Sequence, residues 1–116
     1  MIGDFDDIYQ NVGNQYGIDP LLLKSMSQYE SGQDPDFKNP DSSASGLGAF
    51  TDATAKQYGV NRSDPYSSID GMARYLKDNY SRFGSPTAAI SAYNTGPNAG
   101  IINTSYVNGV DRKSVV

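Results

Sequence analysis

The sequence predicts an all-α fold, and three observations support this prediction. Apolar residues recur at helical spacing in several separate segments. Two of these segments begin with a capping residue followed by proline, Asp19-Pro20 and Ser85-Pro86, which is typical of a helix start. No segment of useful length alternates apolar and polar residues, as a half-buried strand would.

Two helices are predicted at the N-terminal end. The apolar face of the first comprises Phe5, Ile8, Tyr9, Val12 and Tyr16, and that of the second comprises Leu22, Leu23, Met26 and Tyr29. Asp19 is the expected N-cap of the second helix, with Pro20 in its first position. Gly17 and Gly32 are the expected C-terminal stops. Residues 32–50 have no period and predict a long loop, which in a small domain is often functional.

Three further helices follow this loop. The first covers 52–58, with Thr51 or Asp52 as its cap and Gly59 as its stop. The sequence "VNRSDP" reads as a connection. The next apolar face, which Gly84 closes, comprises Ile69, Met72, Ala73, Leu76, Tyr80 and Phe83. Ser85-Pro86 opens a helix through "TAAISAYN" that Gly96-Pro97 breaks, and 104–110 predicts one short helical turn.

Length and composition restrict the function. A chain of 116 residues predicts one domain, with a core over about 4–110. Cysteine and histidine are both absent, which excludes thiol nucleophiles and His-assisted catalysis and argues against a zinc site. The net charge of −4 argues against nucleic-acid binding. We expect no membrane-spanning segment, and the acidic start "MIGDFDDIYQ" predicts no cleavable signal peptide.

Glu30 is the first candidate for chemistry. At about 100° per residue, it projects roughly 50° from the centre of the predicted apolar stripe of its helix. Partial desolvation there would raise the pKa of its carboxyl group, as a general acid requires. A helix-end Glu that turns into water is the simpler interpretation of this feature alone.

Two other segments carry candidate polar or flexible groups. In "AISAYNTGP", residues 89–97, Tyr93 and Asn94 could donate hydrogen bonds to a carboxylate or a sugar. A core tyrosine with a satisfied hydroxyl, followed by ordinary turn residues, is the simpler interpretation of this segment alone. In "SASGLGAF", Gly46 and Gly48 allow the backbone to approach a ligand closely. A flexible connector would explain these glycines as well.

The order of these segments resembles that of the lysozyme-like lytic transglycosylases. The family pattern runs Glu-Ser, Gly-Leu-Met-Gln-Phe/Ile, a Thr-Ala helix and Ala-Tyr-Asn-x-Gly-Pro. The corresponding segments here are "ES" at 30–31, "GLGAF" at 46–50, "TDATAKQYGV" at 51–60 and "AYNTGP" at 92–97. With the lead-in "GIDPLLLKSM" and the late "YVNGV", the resemblance covers about residues 8–110.

The resemblance implies a lysozyme-like helical fold and cleavage of peptidoglycan glycan strands without cofactor or metal. Glu30 would be the single acid and base, since the acetamido group of the substrate can replace a second carboxylate. Tyr93 would orient Glu30. Substrate-binding positions would be Ser31, Asn39, Gly46, Leu47, Ala49, Phe50 and Asn94.

Departures from the family pattern keep two alternatives open. Gly48 and Ala49 stand where the family has Met and Gln, and Asn39 falls near a family Ser. Ala49 favours a catalytically weak or inactive peptidoglycan-binding or virion module. A lysozyme-type hydrolase would instead need a second carboxylate, for which the candidates are Asp34, Asp36, Asp41 and Asp52.

The resemblance also implies a setting. We expect the partner to be a peptidoglycan glycan strand, and the protein to be a monomer or part of a larger virion or envelope assembly. A phage virion, or the bacterial periplasm and cell envelope, is the expected location.

Overall fold

The computed structural model describes residues 5–95, with side chains through Tyr93. This part of the chain contains five helices. The helices are α1 Asp6–Tyr16, α2 Pro20–Ser31, α3 Asp52–Tyr58, α4 Pro65–Phe83 and α5 Pro86–Thr95. Across this part of the chain there is no strand, only two isolated β-bridges, so the all-α prediction is confirmed. The predicted break at Gly96-Pro97 and the predicted turn at 104–110 lie outside the described residues.

The predicted caps explain where the helices begin and end. The Asp19 carboxylate accepts a hydrogen bond from the backbone N–H of Leu21 at 2.9 Å, and Pro20 occupies the first position of α2. Thr51, rather than Asp52, is the N-cap of α3. Left-handed glycines follow α1 to α4: Gly17, Gly32, Gly59 and Gly84.

Helix α4 begins earlier than the apolar pattern indicated. It starts at Pro65, and the Asp64 side chain accepts a hydrogen bond from the backbone N–H of Tyr66 at 3.1 Å. The segment "VNRSDP" is therefore a connection only up to its Asp-Pro pair. This pair caps α4 in the same way that Asp19-Pro20 caps α2.

Helix α4 lies at the centre and packs against each of the other four helices. It buries two adjacent stripes, of which one contains Ile69 and Ala73 and the other Met72 and Tyr75. Ile69 and Met72 are fully buried together with Leu23 of α2. Because two stripes are covered, α4 can pack against several helices at once, most extensively against α5 and α1. None of the helices within 5–95 is long and apolar enough to cross a bilayer.

The ends of two predicted apolar stripes reach solvent instead of the core. Tyr29 is 43% exposed, and Tyr80 and Phe83 are 50% and 37% exposed. The buried face of α2 is rotated toward Ser27 and Ser31, which are both buried, so Tyr29 points away from it. The last turn of α4 extends beyond the core that its middle turns cover, which leaves Tyr80 and Phe83 exposed.

Candidate active site

Glu30 lies on the buried face of α2, closer to its centre than the sequence pattern indicated. Glu30 follows the fully buried Leu23 by seven residues, which at about 100° per residue places it only ~20° away around the helix. Its side chain is half-buried, and its Oε1 atom is shielded from solvent. The structure therefore places a carboxylate oxygen in a desolvated environment beside the core.

Residues 45–50 form a short hairpin-like turn opposite α2. The backbones of Ser45 and Phe50 exchange two hydrogen bonds, of 3.0 and 3.1 Å, and the Ala49 N–H donates to the Gly46 carbonyl at 3.1 Å. Ala49 has a φ of 51°, in the left-handed region. Residues 46–49 reverse the chain between Ser45 and Phe50, and the last of these four residues must adopt a left-handed conformation for the two backbones to pair. The positive φ of Ala49 therefore follows from the turn itself.

Two serine hydroxyls of α2 hold this turn by one carbonyl oxygen. Leu47 is fully buried, and its carbonyl accepts hydrogen bonds from Ser31 Oγ at 2.7 Å and from Ser27 Oγ at 3.0 Å. A carbonyl oxygen has two lone pairs, so both acceptor sites are used. The hydroxyl of Ser31 is thus engaged inside the protein, and the last turn of α2, which carries Glu30, is fastened to the turn at 46–49.

An aromatic cluster lies beside the turn. Ring centroids are 5.1 Å apart for Tyr75 and Tyr93, 6.0 Å for Phe50 and Tyr93, and 6.3 Å for Phe50 and Tyr75. These distances suit tilted aromatic pairs. The Tyr93 hydroxyl donates to the carbonyl of Gly48 at 2.9 Å, which ties α5 to the turn.

Glycine is required at position 48 by the close packing of this cluster. A Cβ atom there would lie 2.7 Å from the Tyr93 hydroxyl oxygen and 2.8 Å from both Met72 Cγ and Phe50 Cε2. Gly48 stands where the family has Met, and neighbouring side chains fill the space that a larger side chain at this position would need.

The Glu30 carboxylate influences one tyrosine of the cluster electrostatically. Burial raises the pKa of the Tyr75 hydroxyl, the nearby Asn79 amide opposes the change, and the negative charge of Glu30 raises the pKa further. Tyr75 is 9% exposed. The Glu30 charge thus acts on one phenol of the cluster, and this phenol stays protonated.

The remaining predicted substrate-binding residues lie along the loop, except for Asn94 in α5. Asn39 Oδ1 accepts a hydrogen bond from the Asp41 backbone N–H at 2.8 Å, which closes a local turn. Gly46 has a φ of 78°, and a Cβ atom there would lie 2.9 Å from the Arg62 carbonyl oxygen. Phe50 is buried within the aromatic cluster. The backbone of Asn94 belongs to α5, and its side chain lies outside the described part of the chain.

The loop aspartates take part in turns and an ion pair. Asp34 Oδ1 accepts the Asp36 backbone N–H at 2.9 Å, and Asp52 pairs with Arg62 at 2.7 Å. Asp34, Asp36 and Asp41 are exposed. These contacts are those of ordinary capping and surface residues.

Three residues of the site were missed by the sequence interpretation. Ser27 was not predicted because a serine in a helical pattern does not indicate a buried position. Tyr75 could have been found, because it follows Met72 by three residues on the same side of α4. Arg62 was assigned to a connection between helices, because its hydrogen-bond partners are distant in sequence and no local pattern indicates them.

An apolar cavity of about 390 Å³ lies elsewhere, at the N-terminal end of α2. It is lined by Leu22, Leu76, Tyr80 and Ile90 among others. Leu22 precedes Glu30 by eight residues, or about 12 Å along the helix, so the cavity is separate from the Glu30 region.

Comparison with known proteins agrees with this arrangement. The model of the transglycosylase SLT domain family matches residues 7–115. The transglycosylase of Enterobacteria phage PRD1 is 39% identical over 85 residues, which are 72% of this chain and 32% of that protein. The membrane-bound lytic murein transglycosylase F of Alcanivorax borkumensis is 31% identical over 100 residues, which are 79% of this chain and 21% of that protein.

The chain thus spans a third or less of the length of these curated relatives. The family match, in contrast, covers nearly all of the chain, and it includes the segments "ES", "GLGAF" and "AYNTGP" from which the resemblance was first inferred. The resemblance to lytic transglycosylases is confirmed, and the chain belongs to the transglycosylase SLT domain family.

Proposed function

We propose that this protein is a peptidoglycan lytic transglycosylase in which Glu30 is the sole acid and base. The observation that carries the proposal is the burial of Glu30 Oε1 on the inner face of α2, beside the turn at 46–49. Desolvation of this kind favours the protonated acid that glycosidic cleavage needs. Membership of the SLT domain family supports peptidoglycan as the substrate class.

The proposed reaction has two proton transfers. Glu30 first gives its proton to the glycosidic oxygen between N-acetylmuramic acid and N-acetylglucosamine, and the bond from the muramoyl C1 to this oxygen breaks. The acetamido group of the muramoyl residue stabilises the charge that develops at C1. The Glu30 carboxylate then accepts the proton of the muramoyl C6 hydroxyl as its oxygen attacks C1. A 1,6-anhydro ring forms, no water is consumed, and Glu30 is again protonated.

Neighbouring residues would position these groups. Ser31 and Ser27 support the last turn of α2 through the Leu47 carbonyl. Tyr93 would orient Glu30 from α5, and its hydroxyl donates a hydrogen bond to the Gly48 carbonyl. The groove for the sugars would run along the loop, with Asn39, Ala49 and Asn94 as its proposed members. Gly46, Leu47 and Phe50 are buried and would support this groove from within.

A second candidate function is a peptidoglycan-binding or virion module of low or no activity. Ala49 favours it, because a methyl group offers no hydrogen bond to a sugar where the family has a Gln amide. A hydrolase that uses a loop aspartate has less support. Asp52 is paired with Arg62 and Asp34 closes a local turn.

The proposed setting follows from the relatives. One of them is a phage transglycosylase and another is named membrane-bound. We therefore propose a virion or cell-envelope location, with the chain acting as one domain, alone or within a larger assembly. Glycan strands are the proposed partner.

The decisive experiment is digestion of purified peptidoglycan by the wild type and Glu30→Gln, with products identified by mass spectrometry. The wild type should release anhydromuramoyl ends, and Glu30→Gln should release them about 10³-fold more slowly because the transferable proton is lost. Asp34→Asn, Asp36→Asn, Asp41→Asn and Asp52→Asn are matched controls that should retain the same products.

Each other outcome identifies an alternative. Reducing ends that disappear in one of the Asp→Asn variants would indicate a two-carboxylate hydrolase. If no product forms but the protein sediments with intact sacculi, the binding module is the correct function.

A further inference from the structure

Arg62 connects both sides of the turn at 46–49 with the start of α3. One terminal nitrogen of its guanidinium group donates to the Ser43 carbonyl at 2.8 Å and to the Phe50 carbonyl at 3.0 Å. The other terminal nitrogen pairs with the Asp52 carboxylate at 2.7 Å. One side chain therefore bridges the segment entering the turn at 46–49, the segment leaving it, and the start of α3.

The backbone of Arg62 also lies against this turn. A Cβ atom on Gly46 would be 2.9 Å from the Arg62 carbonyl oxygen, so only glycine allows this approach. The side chain of Arg62 is 27% exposed, and the guanidinium plane is held at both of its terminal nitrogens. Arg62 thus supports the turn from its outer side, whereas Ser27 and Ser31 hold it from α2.

We propose that Arg62 is a positioning residue that fixes the 43–50 segment relative to Glu30 for catalysis; this inference rests on the proposed function. The guanidinium fork can satisfy two carbonyls and a carboxylate together, and a lysine ammonium presents no such planar fork. Release of this segment would shift Phe50 and the Leu47 carbonyl, which contact the aromatic cluster and α2. Displacements near 1 Å at a reacting centre cost about 10²-fold in rate.

The test compares Arg62→Met and Arg62→Lys with Arg74→Met as the matched control. Arg74 also makes one ion pair, with Asp70 at 2.8 Å, and one bond to a backbone carbonyl, that of Tyr58 at 2.8 Å, but it joins α3 to α4 rather than the loop. Rates are measured on soluble uncrosslinked glycan strands by release of anhydromuramoyl ends. Hydrogen exchange is followed at the backbone amides of Ser45, Gly46, Ala49 and Phe50, which are hydrogen-bonded in this segment.

Both Arg62 variants should lower kcat by about 10- to 100-fold with KM changed less than about threefold, because alignment rather than sugar binding is lost. Their loop amides should exchange faster than those of the wild type. Arg74→Met should retain kcat within about twofold and keep these amides protected.

Equal losses of kcat in Arg62→Met and Arg74→Met, full activity of Arg62→Lys, or unchanged amide exchange in Arg62→Met would each overturn the inference. An inactive wild type would contradict the proposed function instead. Hydrogen exchange would then still report whether Arg62 orders the segment, so the two failures give different results.

Discussion

At the scale of single residues, Ala49 carries an energetic cost that its position explains. Its φ of 51° brings Cβ close to the backbone, which costs a non-glycine residue about 1–2 kcal/mol. The turn between Ser45 and Phe50 nevertheless requires this conformation, because the two residues are paired by backbone hydrogen bonds. Strain of this kind often marks a functional site.

Ala49→Gly should therefore stabilise the protein by about 0.5–1 kcal/mol, since the relief of strain exceeds the added entropy of the unfolded chain. Urea denaturation of the wild type and the variant gives this difference in the free energy of unfolding. Ala53→Gly is the matched control, because Ala53 lies exposed within α3 and should lose about 0.5–1 kcal/mol. Destabilisation by both substitutions would contradict a strained Ala49.

At the scale of elements, α2 and the turn at 46–49 are joined by two buried hydroxyls that share one acceptor. Ser27 is fully buried and Ser31 is 8% exposed, so neither hydroxyl can replace its hydrogen bond to the Leu47 carbonyl with one to bulk water. A buried carbonyl that loses every donor costs about 1–3 kcal/mol. The two serines should therefore be energetically coupled.

Ser27→Ala and Ser31→Ala should each cost about 1 kcal/mol, because the other hydroxyl still satisfies the carbonyl. The double variant should cost about 1 kcal/mol more than the sum, and urea denaturation of all four proteins measures this coupling. Ser25→Ala is the control: its hydroxyl donates to the Leu21 carbonyl of the same helix at 2.7 Å, so its cost should add to that of Ser31→Ala without coupling. Strict additivity of Ser27→Ala and Ser31→Ala would show that they act independently.

At the scale of the whole molecule, buried tyrosines make stability depend on alkaline pH. Burial raises the pKa of Tyr9 to about 12, with the nearby Ser27 hydroxyl opposing this change and the negative charge of Asp6 adding to it. Burial also raises the pKa values of Tyr58 and Tyr75. The folded state keeps these protons at pH values where the unfolded chain has released them.

Stability should therefore be complete below about pH 10 and fall toward pH 12, by about 1.4 kcal/mol per pH unit for each such group. Tyr9→Phe should reduce this slope and should cost less than about 1 kcal/mol at pH 8. Urea unfolding at pH 8, 10 and 11 measures both effects. Identical slopes for wild type and Tyr9→Phe would mean that Tyr9 is not the group responsible.

Local signals predicted the helices, and non-local contacts determined the site. Asp19-Pro20 and Gly32 define α2 through interactions within a few residues, so the sequence predicted its ends. The rotation of its buried face depends on Ser27 and Ser31 reaching a carbonyl of the distant turn, which no helical period indicates. Glu30 was identified through family resemblance, whereas the contacts of Arg62 required the structure.

The close packing around Gly48 constrains the order in which this sequence can change. A methionine at position 48, as the family has, would collide with Met72 and with the Tyr93 hydroxyl. A shorter residue at position 72 would relieve only one of these contacts, because the Tyr93 hydroxyl and Phe50 Cε2 lie as close. A larger residue at position 48 is therefore expected to require changes at positions 50, 72 and 93 together.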